Sequence, residues 1–430
     1  MTKIWKFLNW DLFRQLEIRS ISNFLCYHIL MSKRFAITIM TLVVIAIAAT
    51  VAIYLAKGYT FSTKEKRIVG TGIITVTSVP DAASVYIDGH LTTATNATIS
   101  SLEPGEYSVR VIKEGFIPWE KKAQVKVGLV TDLKITLFPA IPTIYPLSFT
   151  GVKNPLLSPD GSKLAYIVPS TSSDGSVNKK AGVWVWTLKS DQPIAFARGG
   201  EPHQIAESKL INYTDSILRW SPDAKQILAT LGNNNYLLDD DGLNSEPRDI
   251  TPVLPATLNS WDEDFKTKDA AKFLNIKNPD ASKIASGSAR LDSAKQANLK
   301  WSPDETKFMY TESSVISHQS SDSLKTDSEA SLKAEDSLKF KVYDLETDAK
   351  FDIPDALMYS WLPDSRHVIL VEKEQISIVD FDGSNKAVIY AGKFDNSFVF
   401  AWPDSSRLVI ISSLPTPTAS EPNLYGINLK

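Results

Sequence analysis

A short turn recurs five times along this chain: Leu157-Ser158-Pro159-Asp160, Trp220-Ser221-Pro222-Asp223, Trp301-Ser302-Pro303-Asp304, Trp361-Leu362-Pro363-Asp364 and Trp402-Pro403-Asp404. Proline suits the first central position of a type I turn, and the aspartate after it can accept bonds from backbone two residues on. Each copy therefore reads as a tight hinge between strands. A unit that repeats at tens of residues means an array or a propeller.

The prolines Pro159, Pro222, Pro303, Pro363 and Pro403 are spaced 63, 81, 60 and 40 residues apart, and the shortest spacing is near one four-stranded blade. An apolar run follows each turn: Leu164–Val168, Ile227–Ala229, Phe308–Tyr310, Val368–Val371 and Leu408–Ile411. Further strands follow at Val183–Trp186, Tyr236–Leu238, Lys341–Tyr343 and Ile376–Val379. Strand, Pro-Asp turn, strand, outer strand is the order of a propeller blade. Trp220, Trp301, Trp361 and Trp402 recur before the turns and read as equivalent core anchors between neighbouring blades. Over residues 142–430 these repeats resemble the TolB-like β-propeller family. Gly follows Pro-Asp only at Gly161, with Ala224, Glu305, Ser365 and Ser405 in the later copies. A strand that closes the ring is expected from Ile144–Phe149 or from Leu424–Leu429. Two insertions lengthen the spacing. Residues 261–286 read as one or two short helices. Residues 311–339 are Ser, Asp and Lys rich and cannot bury enough apolar surface to order themselves, so a surface loop is expected.

Phe35–Ala56 is 22 residues without a charge. At roughly 1.5 Å per residue it spans about 33 Å, the thickness of a bilayer core. The run is longer than a cleaved signal's apolar region, so an uncleaved anchor that partners the lipid bilayer is expected. Six Lys or Arg precede it, against Lys57, Lys64, Lys66 and Arg67 just after it. That bias puts the N-terminal segment, residues 1–34, in the cytoplasm and the bulk of the chain outside it. Within this segment Trp5, Leu8, Leu12 and Leu16 form a stripe at helical spacing, which suits an interfacial helix; equally, Met31 suits a true start.

After a linker, 57–71, the period becomes two. Ile74, Val76 and Ser78 alternate with Thr75, Thr77 and Val79, and Val85 and Ile87 lead into the turn Asp88-Gly89. Tyr107, Val109 and Val111 share a face of a second strand, and Leu133, Ile135 and Leu137 one of a last strand. Several short strands in about 70 residues make a small antiparallel sandwich. Pro104-Gly105-Glu106-Tyr107 through Gly115-Phe116, with Ser78–Ala82 and Val85–Gly89 before it, resembles the PEGA domain over residues 72–139. The resemblance implies a cell-surface β-sandwich module without catalytic residues.

Composition narrows the chemistry. With 46 basic and 49 acidic residues and a net charge of -3, the chain has no basic field for nucleic acid. Cys26 is the single cysteine and His28, His90, His203, His318 and His367 are scattered, so neither a disulfide within the chain nor a thiolate metal site is expected. HExxH, GxSxG, Walker and GxGxxG patterns are absent, and no catalytic, cofactor or metal residue is assigned. Asp239-Asp240-Asp241-Gly242 lacks the spaced ligands and distal Glu of a calcium loop and reads as a solvated turn. Asn96-Ala97-Thr98 and Asn212-Tyr213-Thr214 are formal glycosylation sequons. The whole reads as an all-β ectodomain, a small sandwich plus a propeller of about five or six blades, behind one transmembrane helix. Its expected role is non-enzymatic: a membrane-anchored surface scaffold binding a protein, peptide or envelope glycan. The alternatives are a propeller-based hydrolase or lyase acting on envelope polymers, or an accessory subunit of an envelope complex.

Overall fold

The structure, a computed structural model, describes residues 33–54, 56, 58–62, 67–172, 175–188, 201–274, 276–290, 299–311, 339–414 and 421–430. The expected interfacial helix or start at Met31 lies outside the described residues, as does all but the ends of the 311–339 insertion. Two compact units are present. The first comprises residues 1–77, 85–109 and 122–135, and the second 78–84, 110–121 and 136–430.

The first unit begins with helix α1, Lys33–Tyr54, long and apolar enough to cross a membrane and with all its residues exposed. Its hydroxyls are satisfied within the helix: Thr38 Oγ1 donates to the Arg34 carbonyl and Thr50 Oγ1 to that of Ala46. With Thr41 Oγ1 donating to the Thr38 carbonyl, no threonine hydroxyl is left open to an apolar surrounding. A hairpin of Tyr59–Ser62 and Arg67–Gly70 follows. Gly72–Val79 is then the middle strand of a three-stranded sheet, flanked by Ala97–Leu102 and Val130–Thr136. A four-stranded sheet runs in the order His90–Ala94, Ser84–Ile87, Gly105–Ile112 and Trp119–Val125. Ile74, Val76, Val85, Ile87, Val109 and Val111 are buried and their neighbours are not, which is the period-two pattern of the sequence. Asp88 and Gly89 both have positive φ, at 48° and 81°, as a tight hairpin turn requires.

Five four-stranded antiparallel sheets make up most of the second unit. Sheet 1 is Lys153–Leu157, Lys163–Val168, Gly182–Thr187 and His203–Glu207; sheet 2 is Ile217–Trp220, Gln226–Leu231, Asn234–Asp239 and Arg248–Asp249. Sheet 3 is Leu299–Trp301, Lys307–Thr311, Phe340–Asp344 and Ala349–Asp352; sheet 4 is Met358–Trp361, His367–Glu372, Gln375–Asp380 and Ala387–Ala391. Sheet 5 draws on both ends of the unit. Val399–Ala401, Arg407–Ser412 and Asn423–Asn428 are completed by Ile144–Pro146, which pairs with the last of them. Both segments expected as closing strands are thus used, against each other.

The second strands of these sheets are continuous apolar runs because both their faces are covered. In sheet 1, Ala165 and Ile167 pack with Leu218, Trp220 and Ile227 of sheet 2. Leu164, Tyr166 and Val168 point the other way and pack with Trp402, Val409 and Ile411 of sheet 5. Sheets 3 and 4 share a core, as do sheets 4 and 5. The remaining faces of sheets 2 and 3 pack on helices instead. Helix α2, Leu254–Leu274, lays Leu254, Leu258 and Trp261 on Leu228, Leu237 and Ile250 of sheet 2. Helix α3, Pro279–Arg290, lays Ala281 and Ala285 on Phe308, Tyr310 and Tyr343 of sheet 3. The 261–286 insertion therefore belongs to two helices that supply core to both sheets.

The five turns share one backbone. The residue before each Pro accepts a bond from the residue after Asp: Gly161 N to Ser158 O at 2.9 Å, Ala224 N to Ser221 O at 3.0 Å, Glu305 N to Ser302 O at 2.9 Å, Ser365 N to Leu362 O at 3.0 Å and Ser405 N to Trp402 O at 2.8 Å. All five donors have positive φ, from 56° to 70°, although only one is glycine. The tryptophans are not all equivalent. Trp220 Nε1 donates to Leu156 O at 3.1 Å and Trp361 Nε1 to Lys300 O at 2.9 Å, each reaching the first strand of the preceding sheet. Trp402 instead occupies the position of Ser158, Ser221, Ser302 and Leu362. A one-residue shift turns a strand side chain to the opposite face, and Trp402 meets Trp186 edge-on at 5.3 Å. The expectation of four equivalent anchors is corrected to three at most, with Ala401 in the anchor position of sheet 5.

Candidate functional site

In the first three turns the aspartate serves the turn itself. Ser158 Oγ donates to Asp160, Ser221 Oγ to Asp223 and Ser302 Oγ to Asp304, each at 2.6 Å. Backbone amides of Ser162, Lys225 and Thr306 donate to the same carboxylates. For Asp160 and Asp304, burial is the largest single influence and favours protonation, but these bonds outweigh it and hold both carboxyls below the usual range. In Asp223 the Ser221 bond leads, and the direction is the same.

The run Asp239-Asp240-Asp241 is not merely a solvated turn, and this corrects the sequence reading. Asp240 is buried and pairs with Lys163 Nζ at 2.6 Å, while Lys163 also donates to the Ala224 carbonyl at 2.9 Å. Asp239 accepts from Gln226 Nε2 across the strand pair at 2.8 Å. Different partners hold the two, and among the described residues no cluster of three His, Cys, Asp or Glu side chains is placed to hold a metal. Asn212 of the second sequon caps a 3-10 turn, its Oδ1 accepting from Thr214 N and Oγ1.

The fourth turn differs. Where the others have Lys163, Gln226, Lys307 and Arg407, it has His367, and that side chain is buried. Its Nδ1 lies 2.6 Å from Asp364 Oδ2 and its Nε2 lies 3.3 Å from Asp380 Oδ1. Asp380 stands opposite His367 in the ladder of sheet 4. Its other oxygen accepts from Asn385 Nδ2 at 2.9 Å and from Trp119 Nε1 at 3.1 Å. The ring of Phe138 meets the imidazole edge-on at 5.2 Å. Glu120 N donates to Asn385 Oδ1 at 3.0 Å, and Lys121 pairs with Asp382.

Burial alone favours the neutral imidazole and is the largest influence on it. The bonds and charges of Asp364 and Asp380 together outweigh it and push the His367 pKa up to about 9. Burial raises both carboxyls, but the bonds to His367 and its charge bring them below the ordinary value. The group is therefore an imidazolium held between two carboxylates at neutral pH. Every member is committed to a partner within the unit, so its chemistry is that of an ionic fastener rather than of a proton donor poised for substrate. Sequence reading saw His367 only as one of five scattered histidines. The spacing of three from Asp364 was visible; Asp380 and Trp119 come from other strands and were not.

Residues 71–141 match the PEGA domain family. No curated protein is similar to this chain. Among solved structures, TolB from Acinetobacter baumannii is similar at 12% identity with a TM-score of 0.22, over 75% of this chain and 60% of that one. The chain thus spans less than two thirds of that protein's length. A protein assigned as TolB from Agrobacterium tumefaciens is similar at 14% identity with a TM-score of 0.21, over 63% of this chain and 76% of that one.

Proposed function

We propose that this chain is a membrane-anchored envelope scaffold with a binding rather than a catalytic role, presenting a β-propeller of five blades outside the cytoplasm. The observation that carries the anchoring is α1, whose 22 residues are wholly exposed and whose interior has no charged side chain. The PEGA match directly after it supports an envelope setting. The five sheets with one shared turn, and the pairing of Ile144–Pro146 with Asn423–Asn428, support a ring fastened by strands from both ends. For a binding role, the support is that the buried acids Asp364 and Asp380 and, among the described residues, the one buried histidine, His367, are spent on internal pairs. The partner is a protein, peptide or envelope glycan. Protease treatment of intact protoplasts followed by membrane fractionation tests the placement. Degradation of the propeller with retention of α1 in the membrane is expected. Survival of the propeller until the cells are lysed overturns it.

A further inference from the structure

A cavity of about 260 Å³ opens between sheets 1 and 2. One wall is Lys209, Leu210 and Ile211, which follow the last strand of sheet 1; the other is the loop Leu243–Pro247 between the last two strands of sheet 2. Leu210 is 93% exposed and Leu243 52%, so two large apolar side chains stand at its rim facing water.

The walls are preformed. Asn244 N donates to the Ile205 carbonyl at 2.7 Å. Its Nδ2 donates to the same carbonyl at 2.9 Å and to that of Asp239 at 2.8 Å, and its Oδ1 accepts from Asp239 N at 3.0 Å. One side chain thus pins the loop of sheet 2 to the outer strand of sheet 1. Tyr213 contributes to the lining and is fully buried, fixed by Ser208 Oγ on its amide and by Ser216 on its carbonyl. Among the described residues its hydroxyl nevertheless has no hydrogen-bond partner. Burial, and then Tyr236, push that phenol up to about 12, so it stays a donor at neutral pH. A buried hydroxyl without a partner costs about 1–3 kcal/mol.

The size bounds the occupant. Pockets for whole small ligands run to about 300–1,000 Å³, and this one lies just below that range, with room for a large side chain. The rim carries Glu207 and Glu246 against one ammonium, Lys209, which is already paired with Glu207 at 2.5 Å. The excess carboxylate favours a basic neighbour.

We propose that this cavity is a docking site for an extended peptide segment of a partner protein, one large apolar side chain filling it and an adjacent Lys or Arg meeting Glu246. The inference rests on the binding role proposed above, but it fails independently of the membrane placement. The test uses the full chain in nanodiscs and the synthetic peptide acetyl-Gly-Ser-Phe-Lys-Ser-Gly-amide, read by ligand-observed NMR and calorimetry. Saturable binding is expected, weakened about tenfold or more by Leu243→Asp, which changes an exposed loop residue, and also by Phe→Ala in the peptide. Lys→Glu in the peptide weakens it severalfold. Tyr213→Phe, whose lost hydroxyl is out of an occupant's reach, leaves binding unchanged and the thermal midpoint unchanged or higher. Absence of saturable binding overturns the proposal, as does equal binding to the Leu243→Asp chain.

Discussion

The turns of sheets 3 and 4 have the same backbone and opposite dependence on their surroundings. Both close with the same amide-to-carbonyl bond and a left-handed residue, Glu305 in one and Ser365 in the other. In sheet 3 the aspartate is satisfied by Ser302 and Thr306, within two residues of it. In sheet 4 Leu362 replaces the serine, and Asp364 depends on a buried His367, which depends on Asp380, which also holds Trp119. The difference teaches that Pro-Asp is a generic hinge and that its neighbours decide whether it stays local. With a hydroxyl before the proline, the carboxylate is satisfied within the turn. In the fourth turn, without one, it becomes the end of a chain of buried charges reaching another segment.

The comparison breaks most sharply at His367. Replacing it by Ala leaves Asp364 and Asp380 buried without their shared cation, and destabilisation of about 3–5 kcal/mol is expected from chemical unfolding. The equivalent change in sheet 3, Ser302→Ala, removes only local bonds, those of the hydroxyl with Asp304 and with the Lys307 backbone, and costs about 1–2 kcal/mol. Equal costs would erase the distinction.

Stability against pH sharpens it. The His367 pKa is higher folded than the ordinary 6.5, so its contribution is complete below about 6.5 and fades as pH rises toward about 9. That gap corresponds to about 3 kcal/mol. The depressed carboxyls act oppositely: their contribution is present above about 4 and fades in more acid solution. The parent chain is expected to lose stability between pH 6.5 and 9, and His367→Gln to lose much less over the same range. Parallel profiles would contradict a charged imidazole.

Two smaller effects concern the shared backbone. Trp361→Phe leaves the Lys300 carbonyl without its indole donor and costs about 1–2 kcal/mol beyond the lost packing, whereas Trp301→Phe, with no such bond recorded, costs less. Glu305→Gly relieves a left-handed residue at φ 58° and raises the unfolding free energy by about 0.5–1 kcal/mol, the strain relieved being partly offset by a freer unfolded chain.

What the sequence revealed follows the range of the interactions. The hinges were legible because Pro and Asp act within four residues, and the second strands because burial on both faces leaves an unbroken apolar run. Trp402 misled because its neighbour Pro403 suggested an anchor, while its face depends on a register one residue out of step. The helices α2 and α3 were visible as helices, but not their packing on sheets 2 and 3. Nor was the cavity legible: Leu210 and Leu243 are isolated loop residues in the sequence, and Asn244 brings their segments together through the carbonyl of Ile205.

The most direct measurement is the titration of His367 by NMR in the full chain, its imidazole signal assigned by its loss in His367→Gln. A ring that is protonated at pH 7 and titrates near 9 is predicted. A midpoint at or below 6.5 would contradict the buried ionic fastener that sets the fourth turn apart from the other four.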